Sequence, residues 1–387
     1  MFLKSLKLLN FRNYESLNIE FNKKKNVIVG GNAQGKTNLV EAIYFIAVLD
    51  STRTSSDSEL VKLGNDNAFI GVVVDKNDTR PVELSVVINP GKSKILKVNQ
   101  VRKKVFGDFL GKLAVVSFSV DDLLLLRGAP ADRRRYIDNA ISQIYPAFYS
   151  RLQSYNKIKQ QKQALLKTFN GYSSNLSSIQ NDMIDSWNEQ ISVAGSNIIY
   201  LREKFLKEIF PVSVDKNFLI SGGKDSLSVS YNSTIGTTFN CKNDDLSSIE
   251  DIKKFYDIRL KQKKEEEIQK GQVVVGPHRD DIIFYLNDKE AHIYASQGQQ
   301  RTVVLSLKLA ELELIKQSLG EEPLLILDDV LAELDLSRQT HLFNSIGKDC
   351  QTIITTTDLD SFKDKQLGDV DVFEIANGEL LNVSEKV

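Results

Sequence analysis

The chain has 387 residues, of which 41% are hydrophobic and 26% charged, enough apolar material and length for two or three folding units with a buried core, which excludes a disordered protein. Lys and Arg number 50 against 51 Asp and Glu, so the formal net charge of −1 excludes a uniformly basic nucleic-acid coat but not a locally basic face. Two distant cysteines, Cys241 and Cys350, and three histidines outside any metal-ligand spacing argue against a disulfide framework or a zinc site and fit a reducing cytoplasm.

The chain starts with an apolar stretch interrupted by Lys4 and Lys7, which does not read as a signal peptide, and no apolar run reaches membrane-spanning length. Strict alternation over Ser16–Asn22, with Leu17, Ile19 and Phe21 on one face, predicts a strand. Asn26–Val29 is a short apolar run ending at Gly30, and further strand-like runs are Ala68–Val74, Glu83–Ile88 and Leu113–Phe118. From about Asp121 to Ile209 the pattern is mainly helical, followed by glycine-punctuated β-branched runs and a charged helix around Ser248–Lys270. Near the C-terminus come strands at Leu324–Leu327, Thr352–Thr355 and Val372–Ile375, then an Asn377-Gly378 hairpin signal before Glu379–Val383. The expected fold class is α/β. A head built from residues 1–118 and 271–387 encloses a mostly helical insertion at 119–270, with no repeat and no sustained heptads.

Charge is uneven along this layout. Arg127 to Lys167 carries nine bases against Asp132 and Asp138, whereas Glu321 to Val387 carries fifteen acids against five bases. The near-zero total is a cancellation.

Gly30-Gly31-Asn32-Ala33-Gln34-Gly35-Lys36-Thr37 fits the phosphate-loop pattern GxxxxGK[ST], with an apolar strand entering and an apolar helix leaving. Glycines let backbone N–H groups face phosphates, the helix start adds positive dipole, Lys36 neutralises phosphate charge, and the Thr37 hydroxyl suits Mg²⁺. Leu324–Leu327 followed by Asp328-Asp329 has the form of a Walker B strand: Asp328 would hold Mg²⁺ through water and Asp329 would polarise the attacking water. A strand ending in two acids also occurs as a plain acidic turn. Ser296-Gln297-Gly298-Gln299-Gln300-Arg301 opens a helix with the apolar stripe Val303, Leu307, Ala310 and Leu314, stopped by Gly320. Ser296 and Gln299 also make a capping box, a purely structural device, but that does not explain a weakening Gly298 in the first turn, which close approach of a phosphate does.

These three elements in this order are the parts of an ABC-type ATPase head, and the whole chain resembles the RecF recombination-repair family. The residues carrying the resemblance are Asn10-Phe11-Arg12-Asn13-Tyr14, Ser51-Thr52-Arg53-Thr54 with Asp57, Phe118–Leu123, Arg133-Arg134-Arg135, and Gly276-Pro277-His278-Arg279-Asp280-Asp281. Val120 departs from the proline expected in that family. In the last of these stretches, Asp280 and Asp281 are expected only to solvate their turn. Related heads carry long coiled-coil arms, for which the heptads are missing here.

The resemblance implies ATP and Mg²⁺ as cofactors. The nucleotide would be bound by Arg12, residues 30–37, Asn38, Ser296, Gly298 and Gln299, and Thr357 would stand where a switch histidine usually lies. It implies an ATP-dependent homodimer in which the serine helix of one copy caps the γ-phosphate held by the other. It also implies slow, DNA-stimulated ATP hydrolysis, and work with RecO and RecR in loading RecA at single-strand gaps. DNA is the implied partner. Arg127, Arg133, Arg134, Arg135, Arg151, Lys157, Lys159 and Lys162, interleaved with aromatics, are the candidate backbone contacts, though such a run also occurs as a solvated face. The alternatives are the ATPase subunit of a membrane transporter, against which the long helical insertion and missing switch histidine argue, and a small-molecule P-loop kinase, which has no need of the serine helix.

Overall fold

A computed structural model describes residues 1–22, 24–54, 56–76, 80–169, 176–242, 244–347, 349–359 and 370–386. The chain divides into two compact units, one of residues 1–122, 142–146 and 308–387 and one of residues 123–141 and 147–307.

The first unit contains two six-stranded sheets. One is antiparallel, in the order Tyr14–Glu20, Phe2–Phe11, Ala68–Asp75, Val82–Ile88, Ile95–Val98, Val101–Lys103. The strand Phe2–Phe11 is absent from the expected elements. A register shift between Leu3 and Ser5 breaks its period of two, so that Leu3, Leu6, Leu8 and Phe11 are all buried while Lys4 and Lys7 face outward. The other sheet runs Glu379–Lys386, Val370–Ala376, Lys25–Val29, Thr352–Thr356, Leu324–Asp328, Val115–Ser119. Its central strands are parallel and buried along most of their length, as strands covered on both faces are, with Leu324–Leu327 a continuous apolar run. The C-terminal pair is antiparallel, with Ala376 opposite Glu379 across the two-residue turn Asn377-Gly378, where both residues have positive φ (50° and 77°). Helix Lys36–Val48 follows the strand Lys25–Val29 and buries almost its whole surface, from Leu39 to Val48 without interruption.

In the second unit, helices Pro146–Thr168, Ser178–Ile220 and Ile249–Lys270 accompany a four-stranded antiparallel sheet, Thr238–Asn240, Leu227–Asn232, Asp281–Leu286, Lys289–Glu290. The helix Ser178–Ile220 is 43 residues long, about 65 Å at 1.5 Å per residue, and begins with a two-sided capping box between Ser177 and Gln180. Asp281–Leu286, expected with the head, pairs along its whole length with Leu227–Asn232, so residues 271–307 fall in this unit.

A fully polar network is buried here. Arg202 grips both oxygens of Asp138 (2.8 Å each) and donates to Pro277 O (2.6 Å). Asp280, with no exposed surface, accepts from Tyr231 (2.5 Å), Ser233 (3.0 Å) and the Thr234 hydroxyl and amide (2.9 and 2.8 Å). The expectation that Asp280 merely solvates its turn is corrected: its carboxylate is satisfied by four donors inside the protein, as burial of a charge requires.

Candidate nucleotide-binding site

The phosphate loop is held open from several sides. Gly30 ends the strand Lys25–Val29, and a Cβ there would lie 2.2 Å from Ile375 O, so only glycine fits. Gly35 has φ 119° and sits against Asn13 and Tyr14, whose hydroxyl donates to Gly35 O at 2.9 Å. Asn13 Nδ2 donates to Gln34 O (3.2 Å), the Gly378 amide to Gln34 O (2.9 Å), and the Asn377 amide to Gln34 Oε1 (2.6 Å). Thus the C-terminal hairpin turn and the Asn13 turn brace the same loop residue. Gly31, Asn32 and Ala33 form the exposed crest, with Ala33 in the left-handed region at φ 61°.

Lys36, 4% exposed, folds its ammonium back onto Gly30 O (2.9 Å) and Gly31 O (3.0 Å). Thr37 Oγ1 donates to Asp328 Oδ1 at 3.3 Å, bringing together the two residues expected to hold a metal ion. Burial pushes the Asp328 carboxyl above the usual carboxylate range, against hydrogen bonds from Thr355 and Thr37. A hydroxyl and a carboxylate that meet beside a phosphate loop suit Mg²⁺, which takes oxygen ligands and completes its shell with water and phosphate. Asp329 directly follows the strand in the left-handed region at φ 51°, a strained position of the kind that gathers at functional sites.

Two residues go beyond the expected set. Thr355 Oγ1 donates to Asp328 Oδ1 at 2.6 Å and accepts the Asp329 amide at 3.0 Å, whereas Thr357 is exposed beyond the end of its strand. Thr355 is the register partner of Asp328 across the parallel pair. Glu41, buried, accepts Arg12 Nε (2.9 Å) and Nη2 (2.6 Å), the Ser51 hydroxyl (2.6 Å) and Arg53 Nη1 (3.5 Å). Arg12 also donates to Glu59 O, and Arg53 to Asn38 Oδ1 at 2.8 Å, while Asn38 bonds Asn13. Arg12, expected under the phosphates, is thus committed to Glu41. The signal for Glu41 was its charge, single within the apolar run Leu39–Leu49.

In the second unit, Ser296 accepts the Gln299 amide (3.3 Å) and Gln299 Oε1 accepts the Ser296 amide (3.0 Å), so the capping box is formed. Gln299 Nε2 reaches Asp225 (2.9 Å). Ser296 is exposed, as are Ile293 and Tyr294 just before it, and Gly298 lies in the first turn.

The candidate DNA contacts separate into classes. Arg151 and Lys157 are exposed; Arg127 is exposed and donates to Gln300 Oε1 at 2.6 Å; Arg135 is half-buried. Arg133 is clamped on both oxygens of Asp281 (2.7 and 2.9 Å). Arg134 donates to Asp280 O, and Lys159 is half-buried. Lys162 is a correction. It is wholly buried and ion-paired at 2.5 Å with Glu267, itself 1% exposed and accepting the Val274 amide. Lys162 is a core residue and no ligand of DNA.

The fold and the phosphate-loop geometry define an ABC-type ATPase head of the SMC kind. The model of the RecF/RecN/SMC N-terminal domain family matches residues 2–374. The chain is 41% identical over 380 residues to the DNA replication and repair protein RecF of Alkaliphilus oremlandii, covering 98% of this chain and all of that one. It is 38% identical to RecF of Halalkalibacterium halodurans over 98% of this chain and 99% of that one. A solved structure of the recombination mediator protein RecF with ATP, in the RecFOR pathway, superposes with TM-score 0.87 at 30% identity, over all of this chain and 98% of that one. An Smc head domain from Pyrococcus furiosus agrees at the level of fold alone (TM-score 0.53, 16% identity, all of this chain and 96% of that one). The chain belongs to the RecF family.

Proposed function

We propose that this chain is an ATP-dependent DNA-binding protein of recombinational repair and replication, in which ATP joins two copies around duplex DNA. The observation that carries the reading is the meeting of Thr37, Asp328 and Thr355 beside a braced phosphate loop, in a chain that matches RecF proteins end to end. Phosphate oxygens would draw Lys36 off the Gly30 and Gly31 carbonyls, replacing neutral acceptors with charged ones, and a charge-assisted hydrogen bond is roughly twice as strong as a neutral one. Thr37 and Asp328 would hold Mg²⁺, which would neutralise charge on the phosphates. Asp329 orients the attacking water, and Thr355 fixes both aspartates: its hydroxyl proton points at Asp328 and its lone pair receives the Asp329 amide.

Ser296 is exposed and its helix start is preorganised by the capping box, so a γ-phosphate presented by a second copy meets a fixed helix N-terminus. Binding energy for ATP is thereby spent on dimer closure, and hydrolysis releases it. Weak DNA-stimulated hydrolysis, cytoplasmic location, gap preference and cooperation with RecO and RecR in loading RecA rest on the likeness to RecF. The transporter-subunit alternative gains nothing from the comparisons. Among the described residues, no helix is long and apolar enough to cross a membrane.

The test is duplex binding with Mg²⁺ and ATP in the intact chain. Lys36→Arg and Ser296→Arg should each abolish the ATP-dependent component, Lys36→Arg through nucleotide binding and Ser296→Arg with nucleotide binding retained. Unchanged dimerisation and duplex binding in both variants sinks the proposal, and a small-molecule phosphotransfer activity kept by Ser296→Arg points to the kinase class.

A further inference from the structure

The turn at residues 275–281 gathers cations that the nucleotide site does not use. On helix Pro146–Thr168, the Tyr155 hydroxyl shares a 2.6 Å hydrogen bond with His278 Nδ1, and His278 Nε2–H donates to Val273 O at 3.2 Å. Burial, with Lys159, Arg279 and Arg134 nearby, pulls the His278 pKa down to about 4. Lys159 lies one helical turn beyond Tyr155 on the same face. Arg134, on helix Pro130–Ile144, donates to Asp280 O at 2.6 Å. Arg279, exposed, projects from the turn and touches Gln272 at 3.3 Å.

The neighbouring carboxylates are already spent. Asp280 is filled by Tyr231, Ser233 and Thr234, Asp281 is clamped by Arg133, and Asp138 by Arg202. Lys159 is half-buried and makes no hydrogen bond or ion pair among the described residues; burial and Arg134 both lower its pKa. A cation packed against like charge without a carboxylate of its own is at a disadvantage that a bound anion removes.

We propose that Lys159, Arg134 and Arg279, set around the 275–281 turn, form a seat for one phosphodiester of the duplex DNA backbone. The seat rests on the DNA-binding reading above and narrows it to named contacts. Lys159 shares its helix with the exposed Arg151, eight residues earlier and so about 12 Å along the axis at 1.5 Å per residue. The seat reads no base: cations from two helices and the turn between them fix position and register only.

The test is anisotropy of a labelled duplex with the intact chain, ATP and Mg²⁺ across a salt series. Lys159→Ala and Arg279→Gln should each flatten the slope of log K against log salt, by at most about 0.9 for each seat, the change expected when one DNA phosphate is no longer neutralised. Lys261→Ala, an exposed lysine outside the seat, should not change it. Lys159→Glu should weaken binding while raising the melting temperature, because the new carboxylate pairs with Arg134; a fall in both together would mark Lys159 as merely structural and overturn the seat. If wild type fails to bind duplex, the functional reading itself fails. If wild type binds and neither neutral variant changes the slope, the seat is wrong and the functional reading stands. If inorganic phosphate raises the melting temperature of wild type but not of Lys159→Ala while the duplex slope stays unchanged, the site takes free phosphate and the DNA assignment is overturned.

Discussion

Replacing Lys162 by Met should unfold rather than unbind. Lys162 Nζ and Glu267 Oε2 are 2.5 Å apart, with side chains 0% and 1% exposed. Removing the ammonium strands Glu267, whose other oxygen must still accept the Val274 amide at 2.9 Å, in a site that water cannot reach. Breaking a buried pair from one side costs about 3–5 kcal/mol. At roughly 2–4 °C per kcal/mol for a unit of roughly 150–250 residues, the melting temperature should fall by about 6–20 °C. Adding Glu267→Gln should restore most of the stability, since the amide oxygen keeps the Val274 bond and no charge remains. Circular-dichroism melts of the single and double variants measure the stability, and the duplex salt slope reports whether a DNA phosphate is neutralised. A Lys162→Met protein that melts with wild type but whose salt slope flattens by about one unit would refute the reasoning and return Lys162 to the DNA surface.

Thr355→Val removes the donor to Asp328 and the acceptor for the Asp329 amide. The Asp329 amide loses its acceptor and Asp328 Oδ1 keeps only the 3.3 Å bond from Thr37; an unpaired group costs about 1–3 kcal/mol, so ATP turnover should fall about tenfold with ATP binding largely kept; steady-state kinetics with a binding titration check this. Glu203 is 3% exposed, its Oε2 has no partner among the described residues, and burial lifts its pKa to about 7. The folded chain therefore keeps a proton that the unfolded chain gives up, and stability falls as pH rises from about 4.5 to 7. Glu203→Gln should remove about 3 kcal/mol of that fall at neutral pH, read as the wild-type-minus-variant difference in urea unfolding at pH 5 and pH 8; an equal difference at both pH values contradicts it.

What could be read from the sequence was what lies close together in it. The phosphate loop, with its strand before and helix after, is a contiguous stretch whose residue types are dictated by phosphate chemistry. The Walker B strand is betrayed by four apolar residues ahead of two acids. The capping box at Ser296 was also visible, because both partners sit within one turn. Thr355 was not, since its bond to Asp328 depends on parallel pairing of strands separated along the chain. Lys162 was misassigned for the same reason: on its own helix it continues a basic run, and Glu267, which buries it, lies 105 positions away. The strand Phe2–Phe11 was hidden by its bulge, and the sheet of the second unit by the distance between Leu227–Asn232 and Asp281–Leu286. The buried polar turn around Asp280 looked like a solvated one because its donors, Tyr231, Ser233 and Thr234, come from a distant hairpin.

The central claim is that ATP bound at Lys36 joins two copies through Ser296. Light scattering on the size-exclusion peak of the intact chain tests it most directly, with Mg²⁺ and with or without ATP. The account predicts that ATP shifts wild type toward twice the chain mass of 43.6 kDa, and that Ser296→Arg binds ATP but stays at the nucleotide-free mass. A wild-type mass unmoved by saturating ATP, or a Ser296→Arg protein that dimerises as wild type does, would contradict it.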